Sequence, residues 1–472
     1  MGITRRAFLQ SAGATLGSLA LPRPGFTAAA SPFELRAAVT RQPIRDGAKT
    51  EVWSFNGACP GPLLRFKKGE TVDVRLRNDL PRVTTVHWHG IRLDNAMDGV
   101  PHVTQAPVRV GDKFDYRFTV PDSGTYWYHP HQSSFEQVPR GLYGAIVVEE
   151  DKPLPVDREE LWVLSDFKLD KANKPIEDYG RVLDFGSGGR IGNTITINGL
   201  AANASRKLSL RPNERVRLRL VNAASARIFS LAFDGHDPVV VTYDGQSTTP
   251  HPIPGGVLVL GPGQRTDLVI DGTADAKGSF AISDRRDGGT RLASIVYAGS
   301  PARAKALPPP EAVERNVLPE PDLAKATAHF LVFEGGVMGQ PAIARVDGKS
   351  LDVKQIMEQH GLTWTMNYTA QHEHAMMHEP LFRFDRGEHA TIKMLNHTEY
   401  EHPMHMHGHF FKVLAIDDRK LERPVWRDTV MLGPKGSCDV AFVADNVGEW
   451  MFHCHILDHA AGGMMGTLVV DG

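Results

Sequence analysis

Cysteine is scarce in this chain. Its 472 residues include only 3, too few for a disulfide framework to carry the fold. Neither sign of charge is in excess: 53 Lys and Arg face 55 Asp and Glu, a formal net charge of -2. That balance lacks the electrostatic footprint of a nucleic-acid-binding protein. No stretch reaches the roughly 18 apolar residues that a membrane-spanning helix needs. Helical periodicity is also rare, and only Val353 to His360 invites a short helix. What the chain has instead is 45 Gly, 32 Pro and 21 His. Turn residues at that density favour short strands, and a chain this long divides into more than one core.

Alternation of apolar and polar residues, the mark of half-buried strands, comes in three batches. Thr71 to Leu76, Phe114 to Phe118 and Ala145 to Val148 belong to the first. Val216 to Val221 and Asp267 to Ile270 form the second, and Ala390 to Leu395 with Thr467 to Val470 the third. The expected fold is all-β, three Greek-key sandwiches over residues 31–152, 158–300 and 325–472. A Pro- and Ala-rich stretch, 301–324, reads as a linker. Residues 1–30 read as an address: Arg5-Arg6, then Phe8-Leu9, an apolar stretch from Ala12 to Leu21, and Ala28-Ala29-Ala30. The segment resembles a twin-arginine signal peptide, implying export through that machinery to the periplasm or beyond.

Four His-x-His pairs carry the chemistry: His87/His89, His129/His131, His405/His407 and His453/His455. Residues i and i+2 of a strand face one side, so each pair aims two imidazoles together. A pair alone suits copper, zinc, iron or nickel. The last pair narrows this, because Cys454 stands inside it and His459 and Met464 follow, with His402 just before the third pair. One thiolate, two imidazoles and a weak thioether make the trigonal site of blue copper.

His-Trp-His-Gly at 87–90, Tyr-His-Pro-His at 128–131, the run from His402 to His409 and His-Cys-His-x3-His-x4-Met at 453–464 resemble the copper motifs of multicopper oxidases, nearest the bacterial laccase-like and cuprous-oxidase branch. The resemblance implies three cupredoxin-like domains and four copper ions. It assigns His402, Cys454, His459 and Met464 to a type 1 copper, and His87 and His405 to type 2. The type 3 pair takes His89, His129 and His455 on one ion and His131, His407 and His453 on the other. The cluster is then expected between the first and third domains, with the middle domain mostly a spacer. The resemblance also implies a mechanism. A reductant gives electrons to the type 1 site through the edge of His402 or His459, and they pass from Cys454 to His453 and His455. Dioxygen is reduced to two waters. Asp98, in Met97-Asp98-Gly99, matches the family's acid beside the type 2 copper. Ala460 departs from the pattern, since relatives carry Glu there as a proton source, which leaves Asp458 or Asp98 for that task.

Substrate choice stays open between phenols or aromatic amines and low-valent metal ions (Cu(I), Fe(II) or Mn(II)). Met366, His372, His374, Met376, Met377 and His378 gather soft ligands suited to Cu(I), and they serve equally as a polar loop with core methionines. Glu399 and Glu401 either bind a donor beside His402 or form a solvated face. A copper-sequestering protein with little turnover is a further alternative, and a copper-free scaffold is disfavoured by the full ligand set. Cys59 and Cys438 either join the first and third domains in a disulfide or remain free thiols.

Overall fold

Thr71–Asp79 shows how local sequence sets this architecture: Val72, Val74, Leu76 and Asn78 are buried while the residues between them face outward. The computed structural model describes residues 32–273, 278–339, 343–346, 348–372 and 379–472. The leader-like segment 1–30 lies outside them. Residues 33–472 form one unit built of β-sheets. Among the described residues the longest helix is the eight-residue Val353–His360, which begins in a capping box from Asp352 and Gln355. No helix among them is long and apolar enough to cross a membrane.

The first sandwich pairs the sheet Thr50–Phe55, Phe33–Gln42, Thr71–Asp79, Lys113–Thr119 with the sheet Leu64–Lys67, Gly144–Glu149, Gly124–His129, His87–His89. The third pairs a six-stranded sheet centred on Glu388–Asn396 and Ser437–Ala444 with a five-stranded one. That second sheet runs Phe382–Asp385, Met465–Asp471, Gly448–Cys454, His402–Met406, Thr429–Leu432. A single apolar cluster, including Leu35, Trp88, Tyr128, Trp364, Trp450 and Phe452, runs through both sandwiches. The middle sandwich keeps a core of its own around Leu218, Leu220, Leu231, Leu268 and Ile282.

Arg215–Asn222 departs from the half-buried strand its alternation suggests, because both faces are buried. Val216, Leu218 and Leu220 enter the middle core. Arg217 and Arg219 enter an ionic network against the first sandwich. Asp267 accepts hydrogen bonds from Arg217 at 2.7 Å, Arg219 at 3.1 Å and Thr125 at 2.8 Å, and Glu150 takes a second Arg217 bond at 2.7 Å. Alternation marks one apolar face and is blind to what covers the other. Residues 301–326 hold no strand or helix, yet Asn316 bonds Ser123 and Gln246 while Val313 packs with Leu154, Val241 and Val269.

Removing one partner of a buried ion network leaves uncompensated charge. Asp267→Ala is therefore expected to lower stability by about 3–5 kcal/mol, measured by urea unfolding. A loss near that of an exposed pair, about 1 kcal/mol or less, would show that the network contributes no net stability.

Candidate metal centres

His87–His89 pairs with Gly124–His129 so that His87 lies opposite His129 and His89 opposite Trp127. Alternation sends Trp88 the other way, against Tyr116 and Phe118 in the core. In the third sandwich His405 lies opposite His453 and Met404 opposite Cys454. These two strand pairs meet. His87 stacks on His407 at 3.9 Å and His89 on His405 at 3.7 Å, while His131 sits 5.0 Å from both His407 and His453. His455 closes the group at 4.9 Å from His89 and 5.3 Å from His129. All eight paired histidines are buried.

Which ring nitrogen faces inward is set by what holds the other. The Nδ1–H groups of His87, His405, His129 and His453 donate outward to the backbone carbonyls of Asp98, Asp428, Pro130 and Cys454 at 2.8–3.0 Å. That of His407 donates to the Asp98 carboxylate at 2.8 Å. The Nε2 atoms of His87, His129, His131 and His405, Nδ1 of His89 and both nitrogens of His455 have no hydrogen-bond partner. Nε2 of His407 and Nε2 of His453 face each other at 3.2 Å. Buried polar atoms rarely go unpaired, so converging lone pairs of this kind fit cations. Burial draws His89, His129, His131, His407 and His455 well below the ordinary imidazole range, and His453 down to about 3, so the lone pairs stay free. Three-residue ligand groups form from His131, His407 and His453, from His87, His405 and His407, and from His87, His89 and His129.

A second site lies one residue along the chain. His402, Cys454 and His459 come together with Nδ1 to Nδ1 3.1 Å apart and the Cys454 sulfur 3.6 Å from each ring. The short helix Leu457–Ala461 returns the chain so that Met464 N–H bonds the His459 carbonyl and the Met464 carbonyl takes Cys454 N–H, both at 3.0 Å. Met464 is fully buried. Ring orientation is reversed here. Nδ1 faces in, while Nε2 of His402 meets Thr398 Oγ1 at 2.8 Å and Nε2 of His459 meets the Ser187 carbonyl at 2.6 Å. Trp364 packs on both rings and donates its indole N–H to the Phe185 carbonyl. Both His402 and His459 are fully buried. The middle sandwich is more than a spacer, since Phe185 and Ser187 roof the site.

The acids differ in what they face. Asp98 is buried and touches two cluster rings, His407 at 2.8 Å and His87 at 3.2 Å. Asp458 faces the middle sandwich instead. Its Oδ2 accepts the Arg190 N–H at 3.0 Å, and burial, with Asp184 nearby, pushes its carboxyl up to about 7. Ala460 packs among Val100, Met451 and Met465. Sequence reasoning missed Asp428, whose Oδ1 lies 3.4 Å from His89 and 3.5 Å from His405. Asp428 stands far in sequence from every histidine pair, which left it no signal. Met366 is a core residue of the strand Trp364–Met366, and His374, Met376, Met377 and His378 lie outside the described residues. Glu399 pairs with Lys435 at 2.8 Å and Glu401 with Arg286. Cys59 and Cys438 are free buried thiols, Cys59 beside Tyr143. His409 is tied to Asn446 and Trp450.

Three family models, each described as multicopper oxidase, match residues 37–153, 160–300 and 346–472. The chain is a multicopper oxidase. It is 30% identical over 456 residues to multicopper oxidase MmcO of Mycobacterium tuberculosis, covering 91% of this chain and 85% of the relative. Laccase-1 of Fomitopsis schrenkii is 29% identical, with 90% and 84% covered. A solved multi-copper oxidase from Pseudomonas thermotolerans superposes with a TM-score of 0.79 at 32% identity, over 93% of this chain and 98% of that one. Membership brings three cupredoxin-like domains, copper, a reductant and dioxygen as electron acceptor. The orphaned nitrogens and the Cys-His-His-Met set fit copper.

The metal-free protein of this multicopper oxidase is expected to lose stability on acidification. Buried His89, His129, His131, His405, His407 and His455 titrate below the ordinary 6.5, and His453 and His459 at about 3. The unfolded chain therefore takes up protons first. Stability is complete above the unfolded value and falls as pH drops through and below it. Calorimetry on copper-free protein should show a melting temperature several degrees lower at about pH 5 than at about pH 7. Copper loading should flatten that slope. A pH-independent melting temperature without copper would contradict the buried, neutral cluster.

Proposed function

We propose that this multicopper oxidase has laccase-like activity, drawing single electrons from phenols or aromatic amines. In this reading His402, Cys454, His459 and Met464 hold the type 1 copper and His87 and His405 the type 2. His89, His129 and His455, with His131, His407 and His453, hold the type 3 pair, four ions in all. Copper bound there supplies one-electron exchange with the donor and the four-electron reduction of dioxygen to two waters. The chain does the rest. Cys454 is covalently adjacent to His453 and His455, so one dipeptide step joins the two sites. Asp98 holds the Nδ1–H of His407 and is the acid we assign to proton delivery, in place of the side chain that Ala460 lacks. Thr398 and Ser187 fix the rings of His402 and His459 from outside.

The observation that carries the donor assignment is the outer surface of the Cys454 site. The roof around Phe185 and Ser187 exposes Val182 and Leu183, and Val337 and Met338 adjoin it at Gly186. An aromatic donor packs on such a surface and couples through the hydrogen bond from His459 to Ser187, with no ligand bond needed. A metal ion is held by several anionic or soft ligands together, and beside the single exposed thioether of Met338 the carboxylates of Glu399 and Glu401 are engaged by Lys435 and Arg286. Oxidation of Cu(I), Fe(II) or Mn(II) is the second reading, favoured by the His372 to His378 set. Binding of copper with little turnover is the third. We further propose that residues 1–30 direct export by the twin-arginine route, which passes folded, cofactor-loaded proteins to the periplasm.

Two experiments test this. Cys454→Ser is expected to abolish the blue charge-transfer band and oxidase activity while about three coppers stay bound, by the thiolate's role in such sites. A serine variant that remained blue would overturn the assignment. Rates with a simple phenol, Cu(I), Fe(II) and Mn(II) should then favour the phenol, and Met376→Leu with Met377→Leu should leave that rate unchanged. A severalfold loss confined to Cu(I), with Cu(I) the faster substrate, would establish the metal-ion reading instead.

A further inference from the structure

Arg265 begins a strand of the middle sandwich, yet its side chain ends at the histidine cluster. It is fully buried, and all five of its N–H donors are used. Nη1 and Nη2 fork onto the two oxygens of Asp428 at 2.7 and 2.5 Å. The others reach the carbonyls of Gly263 at 3.1 Å, Asp244 at 3.0 Å and Thr125 at 3.2 Å. A guanidinium saturated in this way has one position open to it. Asp428 in turn holds the cluster: its carbonyl takes the Nδ1–H of His405 at 2.9 Å. Thr429 Oγ1 donates to Asp428 Oδ1 at 2.7 Å and lies 3.1 Å from His405.

The residues before Arg265 press on the same place. Gln264 donates to the Thr429 carbonyl at 2.9 Å. Gly263 adopts a left-handed φ of +83°, and a Cβ there would stand 2.7 Å from the His455 ring and 3.1 Å from His89. Gly90, next to His89, would bring a Cβ to 2.3 Å from Arg265 Nη2 and 2.7 Å from Asp428.

We propose that the segment Gly263 to Arg265 of the middle sandwich forms a wall of the oxygen-reducing cluster, with Arg265 the positioning residue that fixes Asp428 and through it His405. This rests on the assignment of the eight histidines to copper. Without Arg265, the Asp428 carboxylate faces the cluster uncompensated and free to turn, and the environment of His405 changes. The Cys454 site has no contact with Arg265 and keeps its own geometry.

The test uses the copper-loaded full protein. Arg265→Gln is expected to keep the blue band and to lose or alter the type 2 electron paramagnetic resonance signal, with turnover down about 10- to 100-fold, the usual cost of removing an outer-shell partner. Arg265→Lys, which keeps the charge and loses the fork, should recover part of both. Adding Arg265→Gln to Asp428→Asn should change little beyond Asp428→Asn alone, because Arg265 acts through Asp428. A wild-type type 2 spectrum, four coppers and wild-type turnover in Arg265→Gln would overturn the proposal. So would additive losses in the double variant. If Arg265→Gln does not accumulate folded, Arg265→Lys carries the same test, and a wild-type type 2 spectrum with wild-type turnover in it overturns the proposal. Failure of the copper assignment looks different, since the wild-type protein itself would then lack a type 2 signal.

Discussion

The first and third sandwiches are organised around one electrostatic constraint, the convergence of imidazole lone pairs where water is excluded. Seven ring nitrogens from six histidines lie buried without a hydrogen-bond partner. Each would ordinarily cost free energy, and the lone pairs among them, one per neutral ring, form a site that a cation satisfies. Neutral rings are the condition for it, and burial supplies that condition. The surrounding sheets must therefore be rigid enough to keep uncompensated groups from finding other partners. A single apolar cluster through both sandwiches, with Trp88, Trp364 and Trp450 fully buried in it, provides that rigidity.

The two sites use the same ring in opposite senses. In the cluster, Nδ1–H is mostly anchored on carbonyls and Nε2 faces inward. Around Cys454, Nδ1 faces inward and Nε2 is anchored outside. The anchors fix the tautomer, as outer partners of ligating histidines commonly do. They also decide what each site can exchange with. A carbonyl on Nε2 of His459 leaves the ring coupled to the surface through one hydrogen bond, while the cluster rings are anchored on backbone and Asp98 inside the fold.

Much of this was legible in sequence. The i, i+2 spacing put His87 with His89 and His453 with His455 on common faces and sent Trp88 to the core, because strand geometry has period two. The structure brings together every histidine that the pairs singled out. Partners at long separation left no such trace. Arg265 and Asp428 are 163 residues apart, and His459 and Ser187 are 272 apart. Backbone carbonyls such as those of Ser187 and Asp428 carry no side-chain signature at all. Arg217 and Arg219 read as the exposed face of a strand because alternation reports polarity, and a buried ion network has the same polarity as a solvated face. Met366 follows the second of its two readings: strand position makes it core, where its chemistry alone left a soft ligand equally open.

The middle sandwich was the least legible part and changes the account of the whole. It supplies no histidine to either site, which made it look like a spacer. Yet it meets the Cys454 site through Phe185 and Ser187 and the histidine cluster through Gly263, Gln264 and Arg265. Both contacts are made by backbone or by side chains reaching across from sheet ends, so neither depends on the alternation that built the sheets. The ionic network of Arg217, Arg219 and Asp267 holds this sandwich against Thr125 and Glu150 of the first. Thr125 connects the two systems directly, bonding Asp267 through its hydroxyl and Arg265 through its carbonyl. A shift of the middle sandwich would therefore be felt by Arg265 and then by Asp428. The network that read as surface charge is continuous with the groups that orient the cluster.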